Sequence, residues 1–138
     1  MIEVKRTERG WGGHFICVES CLFRRNTLLE AGDVKIVVST VGNMLNSTKD
    51  GEIGTIGYMR YFETMAFHSD AEDAEFHDID MERQVRFASP WELAEPHMDN
   101  EANDMHEAVV AELMDGLAAG NHYEASPTIP TSIPGGKP

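Results

Sequence analysis

The sequence predicts an α+β fold in which an antiparallel β-sheet of about five to six strands packs against one C-terminal amphipathic helix. Runs of alternating apolar and polar residues, rich in β-branched and aromatic side chains, fill most of residues 1–87. A short turn at 31–33 separates two of these runs and predicts a hairpin. Residues 99–119 instead repeat apolar side chains every three or four positions, which is the period of a helix.

The strand pattern occurs in six stretches. In chain order they are 1–6, His14–Glu19, Leu22–Glu30, Val34–Val41, Tyr58–His68 and Met81–Phe87. The segment 43–57 is rich in Asn, Gly, Ser and Thr, and we expect it to be a loop or an extended hairpin tip. Apolar residues expected on the core faces are Phe15, Cys17, Leu28, Ile36 and Val38.

Two helical segments follow the strands. Ser89–Leu93 predicts a turn into a short helical piece, with Ser89 as the N-cap and Pro90 at the first helical position. The main helix is predicted at Asp99–Ala119 and ends at Gly120-Asn121. Its apolar stripe consists of Met105, Val109, Leu113 and Leu117.

The length of 138 residues predicts a single domain, which we place at residues 1–120 and expect to bind a ligand. Residues 121–138 are predicted to be a disordered tail. Four of the six prolines fall in 125–138, and such a composition does not build a packed core.

The formal net charge of −13 is unevenly distributed, because residues 70–124 contain sixteen acidic residues and only two basic ones, Arg83 and Arg86. We therefore expect no binding to duplex nucleic acid, since nonspecific affinity for the duplex depends on cationic side chains. No apolar run reaches the ~18 residues of a membrane span. The N-terminal MIEVKRTERG has no apolar h-region, so we expect no secretory signal. Cys17 and Cys21 are expected to be reduced thiols in a cytoplasmic protein.

Polar residues interrupt the two strands of the predicted hairpin. They are Arg24–Thr27 on one strand and 39–43 on the other. If residues whose numbers sum to about 64 pair across the turn, Arg25 faces Ser39 and Arg24 faces Thr40. Guanidinium, hydroxyl and amide groups suit a phosphate or a nucleotide. The alternative is that the two arginines alternate along an exposed strand and are solvated or paired with acids.

Further candidate residues lie outside the hairpin. Arg60 stands beside aromatic residues on its strand, which suits base stacking as well as core packing, and Trp91 could serve the core or cover a ligand. Asn103, His106 and Glu107 share one face of the main helix. His106 and Glu107 invite a general-base interpretation, but no nucleophile accompanies them.

Four runs carry a resemblance to a known family. They are GWGGHFICVESCLFRRNTL, VVSTVGNM, YMRYFETMAFH and ANDMHEAVVAE, and they fall within residues 3–118. These runs resemble the anti-Thoeris signal sponges, which are small proteins encoded by bacteriophages. Members of that family bind and sequester the cyclic ADP-ribose-type messenger made by bacterial TIR proteins, and some also trap cyclic oligonucleotides.

The resemblance implies a β-sheet core with a C-terminal helix, assembly into a hexamer and ligand pockets at subunit interfaces. It also implies that Arg24 and Arg60 bind phosphates, that Phe87 stacks on a base and that Asn103 contacts base or ribose. The protein would then act in the cytoplasm of the infected host. Together the two lines of reasoning predict the ligand-binding residues Arg24, Arg25, Asn26, Thr27, Arg60, Phe87, Trp91, Asn103 and His106.

The favoured function is therefore sequestration of a cyclic nucleotide immune signal, without catalysis and without a metal or other cofactor. Two alternatives stay open. The first is an enzyme that cleaves the signal, with His106 and Glu107 or His14 as acid and base. The second is an inhibitor that binds a protein through an acidic surface resembling nucleic acid, which the charge of residues 70–124 would serve.

Overall fold

The computed structural model describes residues 1–10, 13–15, 18–46, 52–73 and 78–124. Over these ranges the chain forms an open antiparallel sheet of seven strands with one α-helix packed on it, so the predicted α+β class is confirmed. The elements are β1 Lys5–Arg9, β2 Cys21–Ala31, β3 Val34–Asn46, β4 Glu52–Gly54, β5 Phe62–Ser69, β6 Ile79–Val85, β7 Glu92–Leu93 and α1 Asp99–Ala118.

The main path of the sheet runs β1-β2-β3-β5-β6, and two short strands are attached to it. β4 pairs with the end of β3, so the segment predicted as a loop or extended hairpin tip is a hairpin tip in its described part. β7 pairs with β5 through Phe62–Leu93 and Glu63–Glu92. The short helix predicted at Ser89–Leu93 is therefore wrong, because this segment completes its backbone hydrogen bonds on the sheet instead.

Three strand predictions need correction. The first strand was predicted at 1–6 and lies at Lys5–Arg9. Val18–Ser20 forms a 3-10 turn, so the strand predicted at His14–Glu19 is wrong there, and Cys17 lies outside the described residues. The strand predicted to begin at Tyr58 begins at Phe62. Met59 has a φ of 55°, and the Ile56 amide donates to the Arg60 carbonyl over 2.9 Å, so the chain turns before the strand starts.

The β2–β3 hairpin turns more tightly than the sequence suggested. Ala31 pairs with Val34, which leaves only Gly32 and Asp33 in the turn, and Gly32 takes a φ of 61° that glycine adopts without strain. The predicted pairing is therefore wrong by one residue: Arg25 lies opposite Thr40, and Arg24 opposite Val41. A three-residue turn would have kept Ala31 out of the ladder.

Successive residues of a strand point to opposite faces, and α1 covers only one face of this sheet. We call the face that carries Leu29, Ile36 and Val38 the helix face, because these residues pack with Val109 and Leu113 of α1. The other face, which carries Leu28, Val37 and Phe67, is called the far face. Arg25 and Thr27 thus belong to the helix face, whereas Arg24 and Asn26 belong to the far face.

The apolar stripe predicted on the main helix is confirmed as its buried side. Val109, Leu113 and Leu117 are at most 1% exposed, and Met105 is 6% exposed. Met105 joins a separate cluster with Phe23, Phe62 and Ala102. Burying a side chain of the Val, Leu or Met type stabilises the fold by about 1.5–3 kcal/mol, so this stripe anchors the helix on the sheet.

The helix ends where the sequence predicted. Gly120 has a φ of 97°, its amide donates to the Leu117 carbonyl over 3.0 Å, and the Asn121 amide donates to the Gly116 carbonyl over 2.9 Å. This pattern is a Schellman motif, which uses glycine for its left-handed residue. Tyr123 then packs back against the core. Of the tail predicted at 121–138, residues 125–138 lie outside the described residues. No helix in the described ranges is long and apolar enough to cross a membrane.

Candidate ligand-binding site

Arg25 lies at the junction between the helix face of β2 and the N-terminal half of α1. Its Nη2 donates to Glu8 over 2.8 Å, its Nη1 lies 2.9 Å from a carboxylate oxygen of Glu107, and Nη1 also lies 3.4 Å from Asn103 Oδ1. Arg6 of β1 contacts the same Glu107 carboxylate, over 2.6 Å. Two guanidinium groups and an amide thus meet at one partly exposed location, which we call the junction cluster.

Burial and charge act against each other at the two carboxylates of the junction cluster. The hydrogen bond from Arg6, helped by that from Arg25, lowers the pKa of Glu107 to about 2 despite partial burial. Burial alone would raise the pKa of Glu8, but hydrogen bonds from Arg25 and Thr27 lower it overall. Both carboxylates are therefore ionised at neutral pH, and they occupy the guanidinium groups.

A chain of buried hydrogen bonds runs inward from the junction cluster. Thr27 Oγ1 lies 2.7 Å from Glu8 and 2.7 Å from His106 Nε2. His106 Nδ1 lies 2.7 Å from Thr40 Oγ1, which lies 2.6 Å from Thr64 Oγ1. Because a carboxylate only accepts, Thr27 donates to Glu8 and accepts from His106 Nε2–H, which leaves Nδ1 to accept from Thr40.

His106 is fully buried within this chain. Burial, with a contribution from the positive charge of Arg25, lowers its pKa to about 4, so the ring is neutral at physiological pH. Its two nitrogens are both engaged by hydroxyl groups. His106 therefore links the helix to β2 and β3 and presents no free nitrogen to a ligand.

A second polar cluster lies on the far face. His14 Nδ1 lies 3.0 Å from Ser39 Oγ, and His14 Nε2 lies 2.7 Å from Glu63. Arg60 donates to the other Glu63 oxygen over 2.9 Å and to Glu92 over 3.1 Å. We call these five residues the far-face cluster.

The far-face cluster contains a serine, a histidine and a carboxylate, which is the set used in hydrolases. Ser39 is fully buried, and His14 and Glu63 are at most 8% exposed. Ser39 also sits in β3, which is paired on both sides by β2 and β5, so its backbone amide belongs to the ladder and is not aimed at a developing oxyanion. In this arrangement the three side chains satisfy one another inside the core.

Arg60 lies against an aromatic ring, as the sequence predicted, but the ring is that of Trp91 and not that of Phe62. Its guanidinium carbon lies 5.2 Å from the centre of the Trp91 ring, within the range of a cation–π interaction. Phe62, the aromatic neighbour on the strand, is fully buried and packs edge-on against Phe23. Trp91 is half-buried and so keeps part of its surface available.

Asn26 and Arg24 share the far face but differ in exposure. Asn26 is 2% exposed, accepts from Arg9 Nε over 2.9 Å and leaves its own Nδ2 without a hydrogen-bond partner. Arg24 is exposed and makes no hydrogen bond or ion pair within the described part of the chain. Its row of the sheet continues through Val41 to Glu63, so its Cα lies about 10 Å from that of Glu63.

Phe87 lies apart from the arginines, half-buried against the main core with Tyr123 and Met114 nearby in the same cluster. The structure thus brings four predicted residues together, two in the junction cluster and two in the buried chain beneath it. It places Arg60 beside Trp91 and leaves Arg24, Asn26 and Phe87 at other locations. The four residues that come together are Arg25, Thr27, Asn103 and His106.

Sequence reasoning did not single out Arg6 and Glu8 of the junction cluster. The signal for them is the alternation of KRTER, which places Arg6 and Glu8 on the same face of β1. Once β1 pairs with β2, Glu8 lies opposite Thr27 and next to Arg25. Among the described residues no group of three His, Cys, Asp or Glu side chains is arranged to hold a metal ion.

No protein-family model, curated protein or solved structure matches this chain.

Proposed function

We propose that this protein binds a cyclic nucleotide immune signal, a cyclic ADP-ribose isomer or a cyclic oligonucleotide, and sequesters it without degrading it. The proposal includes a phage origin and action in the host cytoplasm, against bacterial defence. The observation that carries it is the junction cluster, where two guanidinium groups and the Asn103 amide meet at a partly exposed site. A phosphate accepts from such forks in bidentate fashion, and an amide serves a base edge or a ribose hydroxyl.

The carboxylates in the junction cluster do not prevent capture of a phosphate. The side chains of Glu8 and Glu107 are 44% and 45% exposed, and ion pairs at such exposure contribute about 0–1 kcal/mol each. A ligand phosphate can therefore replace them at small expense. Until then they hold Arg6 and Arg25 in place, which reduces the entropy lost when the ligand binds.

Capture without turnover is supported by the position of the candidate acid and base groups. A general base must reach the proton that it abstracts, either directly or through one water molecule. His106 is fully buried and both of its nitrogens are engaged by threonines, and His14 is enclosed between Ser39 and Glu63. Neither group is presented to a ligand bound at the junction cluster.

Assembly into a homo-oligomer, with a hexamer as the specific proposal, is supported by exposed apolar side chains. Tyr58 is 84% exposed, and Leu22, Met59 and Leu45 are 65%, 65% and 41% exposed. Large exposed side chains of this kind are common where another chain packs. Leu22 lies on the same face of β2 as Arg24, so a subunit packed there would enclose this free arginine and give it a place in an interface pocket.

The test uses the cyclic ADP-ribose isomer made by a TIR protein. The protein is mixed with the purified ligand and filtered to remove the complex, and the filtrate is compared with the supernatant after heat denaturation, both analysed by mass spectrometry. We expect depletion before heating and recovery of unaltered ligand after it. An altered ligand would favour the cleaving enzyme. No depletion would contradict sequestration and favour the acidic protein inhibitor, which the sixteen acids of residues 70–124 support.

A further inference from the structure

Two adjoining cavities lie at the end of the sheet where the β2–β3 hairpin turns. Their volumes are about 350 and 310 Å³, and both are lined by Asp33, His68 and Arg83. Lys35 lines the first cavity, and Glu124 lines the second. Volumes of this size are typical of small-molecule sites. None of the nine ligand-binding residues predicted from the sequence lines either cavity, so this cleft is separate from the junction cluster.

The cleft contains two cations, Lys35 and Arg83, and neither makes an ion pair within the described residues, although Asp33, Asp70 and Glu124 also line the cleft. Arg83 Nη1 donates to the Ser69 carbonyl over 3.4 Å. Arg6, Arg25 and Arg60, by contrast, each contact two carboxylates. In a chain with thirteen excess negative charges, two cations that make no ion pair within the described residues are available to bind an anionic group in this cleft.

Other polar side chains of the cleft indicate which chemical groups the rest of the ligand carries. Asp33 and Asp70 line the same cavity as the two cations. Carboxylates accept hydrogen bonds and repel a bare dianion, so they fit a ligand whose anionic end is followed by hydroxyl donors. We propose that this cleft binds a phosphorylated sugar, with its phosphate on Lys35 and Arg83 and its hydroxyl groups on Asp33 and Asp70.

One wall of the cleft is supplied by the chain that follows the helix. His68 Nε2 contacts the carbonyl of Tyr123, and because a carbonyl only accepts, Nε2 carries the hydrogen. The Tyr123 ring lies so close to Gly116 that a β-carbon there would collide with its hydroxyl group. These two contacts fix the neighbouring His122 and Glu124 beside Arg83. The cleft is therefore formed in the absence of a ligand.

The test titrates the full chain with ribose 5-phosphate by calorimetry, with ribose and inorganic phosphate as separate probes. We expect ribose 5-phosphate to bind and ribose to give no heat. The double variant Lys35→Met/Arg83→Met keeps the aliphatic stems and is expected to bind at least about a hundredfold more weakly, since each charge-assisted contact contributes about tenfold or more. Arg86→Met, at an exposed arginine outside the cleft, is the matched control and should bind like the wild type.

The contrary outcomes are distinct. No binding of ribose 5-phosphate, equal binding of ribose, or wild-type affinity in the double variant would overturn the proposal. Equal affinity for inorganic phosphate would overturn the role given to Asp33 and Asp70. Amide chemical shifts of the wild-type protein give a second measurement that needs no variant to fold. Ribose 5-phosphate should move the signals of Lys35, His68 and Arg83 and not that of Asn103, and the reverse pattern would contradict a separate site.

Discussion

His106 sits where a ligand contact was expected and instead completes a buried chain of hydroxyl groups. Its neutral ring bridges Thr27 and Thr40, with both hydrogen bonds at 2.7 Å. A buried polar group left unsatisfied costs about 1–3 kcal/mol, so the two nitrogens of the buried ring depend on these threonines. His106 therefore ties α1 to β2 and β3 and fixes the position of the helix next to Arg25.

The stability of the protein should fall as the pH drops from about 6.5 to about 4, because of His106. Burial lowers its pKa from 6.5 to about 4 in the folded chain, so over this range the unfolded state binds the proton and the folded state does not. The free energy of unfolding then decreases by an amount on the order of 3 kcal/mol across the full range. Urea denaturation of the wild type and of His106→Gln at pH 7 and pH 5 measures it. The variant should lose less stability between the two pH values, and equal losses would contradict this role.

Replacing Arg25 should weaken capture of the nucleotide signal. Arg25→Met removes one charge-assisted contact to phosphate and leaves Arg6 to pair with Glu107, so affinity for the cyclic ADP-ribose isomer should fall about tenfold to a hundredfold. Calorimetry on the variant measures this. Arg86→Met is the control, because Arg86 is exposed and lies outside the junction cluster. Unchanged affinity in Arg25→Met, with intact folding, would remove the junction cluster from the proposal.

At the scale of single residues the sequence identified polar residues that the structure brings together, but not their partners. Arg25, Thr27, Asn103 and His106 were all recognised as candidates from residue type and spacing. The pairing of Arg6 and Arg25 with Glu8 and Glu107 was not predicted, because partners such as Arg6 and Glu107 are 101 positions apart in the chain. Contacts between residues so far apart in the chain depend on how β1, β2 and α1 pack, and residue type alone does not predict that packing.

At the scale of elements, the hairpin and the helix were predictable for the same reason: each is specified locally. The repeat of Met105, Val109, Leu113 and Leu117 matches one helix face, and glycine at 120 supplies the left-handed residue that ends it. The register of the hairpin was missed by one residue because Ala31 is compatible both with a turn and with a strand. The short strand β7 was missed because a strand of two residues is too short to show an alternation of apolar and polar side chains.

The tight hairpin makes a prediction about Gly32. Gly32→Ala places a β-carbon in the left-handed region, at a φ of 61°, and should reduce the free energy of unfolding by about 1 kcal/mol. Gly10→Ala is the matched control, because a β-carbon there also meets open space and Gly10 has no positive φ. Thermal unfolding of both variants measures the difference. Equal stability of the two would contradict the two-residue turn.

At the scale of the whole molecule, the sheet is covered by the helix on one side and carries its exposed apolar residues elsewhere. Tyr58 and Met59 lie in the turn before β5, and Leu22 lies near the start of β2. Composition could not locate this surface, since 41% of the sequence is hydrophobic and composition does not show which of these residues the fold buries. Only the arrangement of the elements shows which of them stay outside.

Disrupting this surface should dissociate the protein without unfolding it. Tyr58→Lys/Met59→Lys places two cations where apolar side chains would pack between subunits, so the mass in solution should fall toward that of a monomer. Light scattering after gel filtration measures it. Ala111→Lys, at an exposed helix position, is the control and should leave the mass unchanged. A wild type that is itself monomeric at micromolar concentration would contradict the proposed assembly.

Arg24 and Arg25 are adjacent in the chain but point to opposite sides of the sheet, one toward the helix and the other away from it. Within a single copy the two guanidinium groups therefore lie on different faces of β2. If one ligand is bound by Arg25 of one copy and by Arg24 of another, the two copies must associate around that ligand. The apparent affinity for the ligand would then fall when the protein is diluted, and binding would depend steeply on the protein concentration.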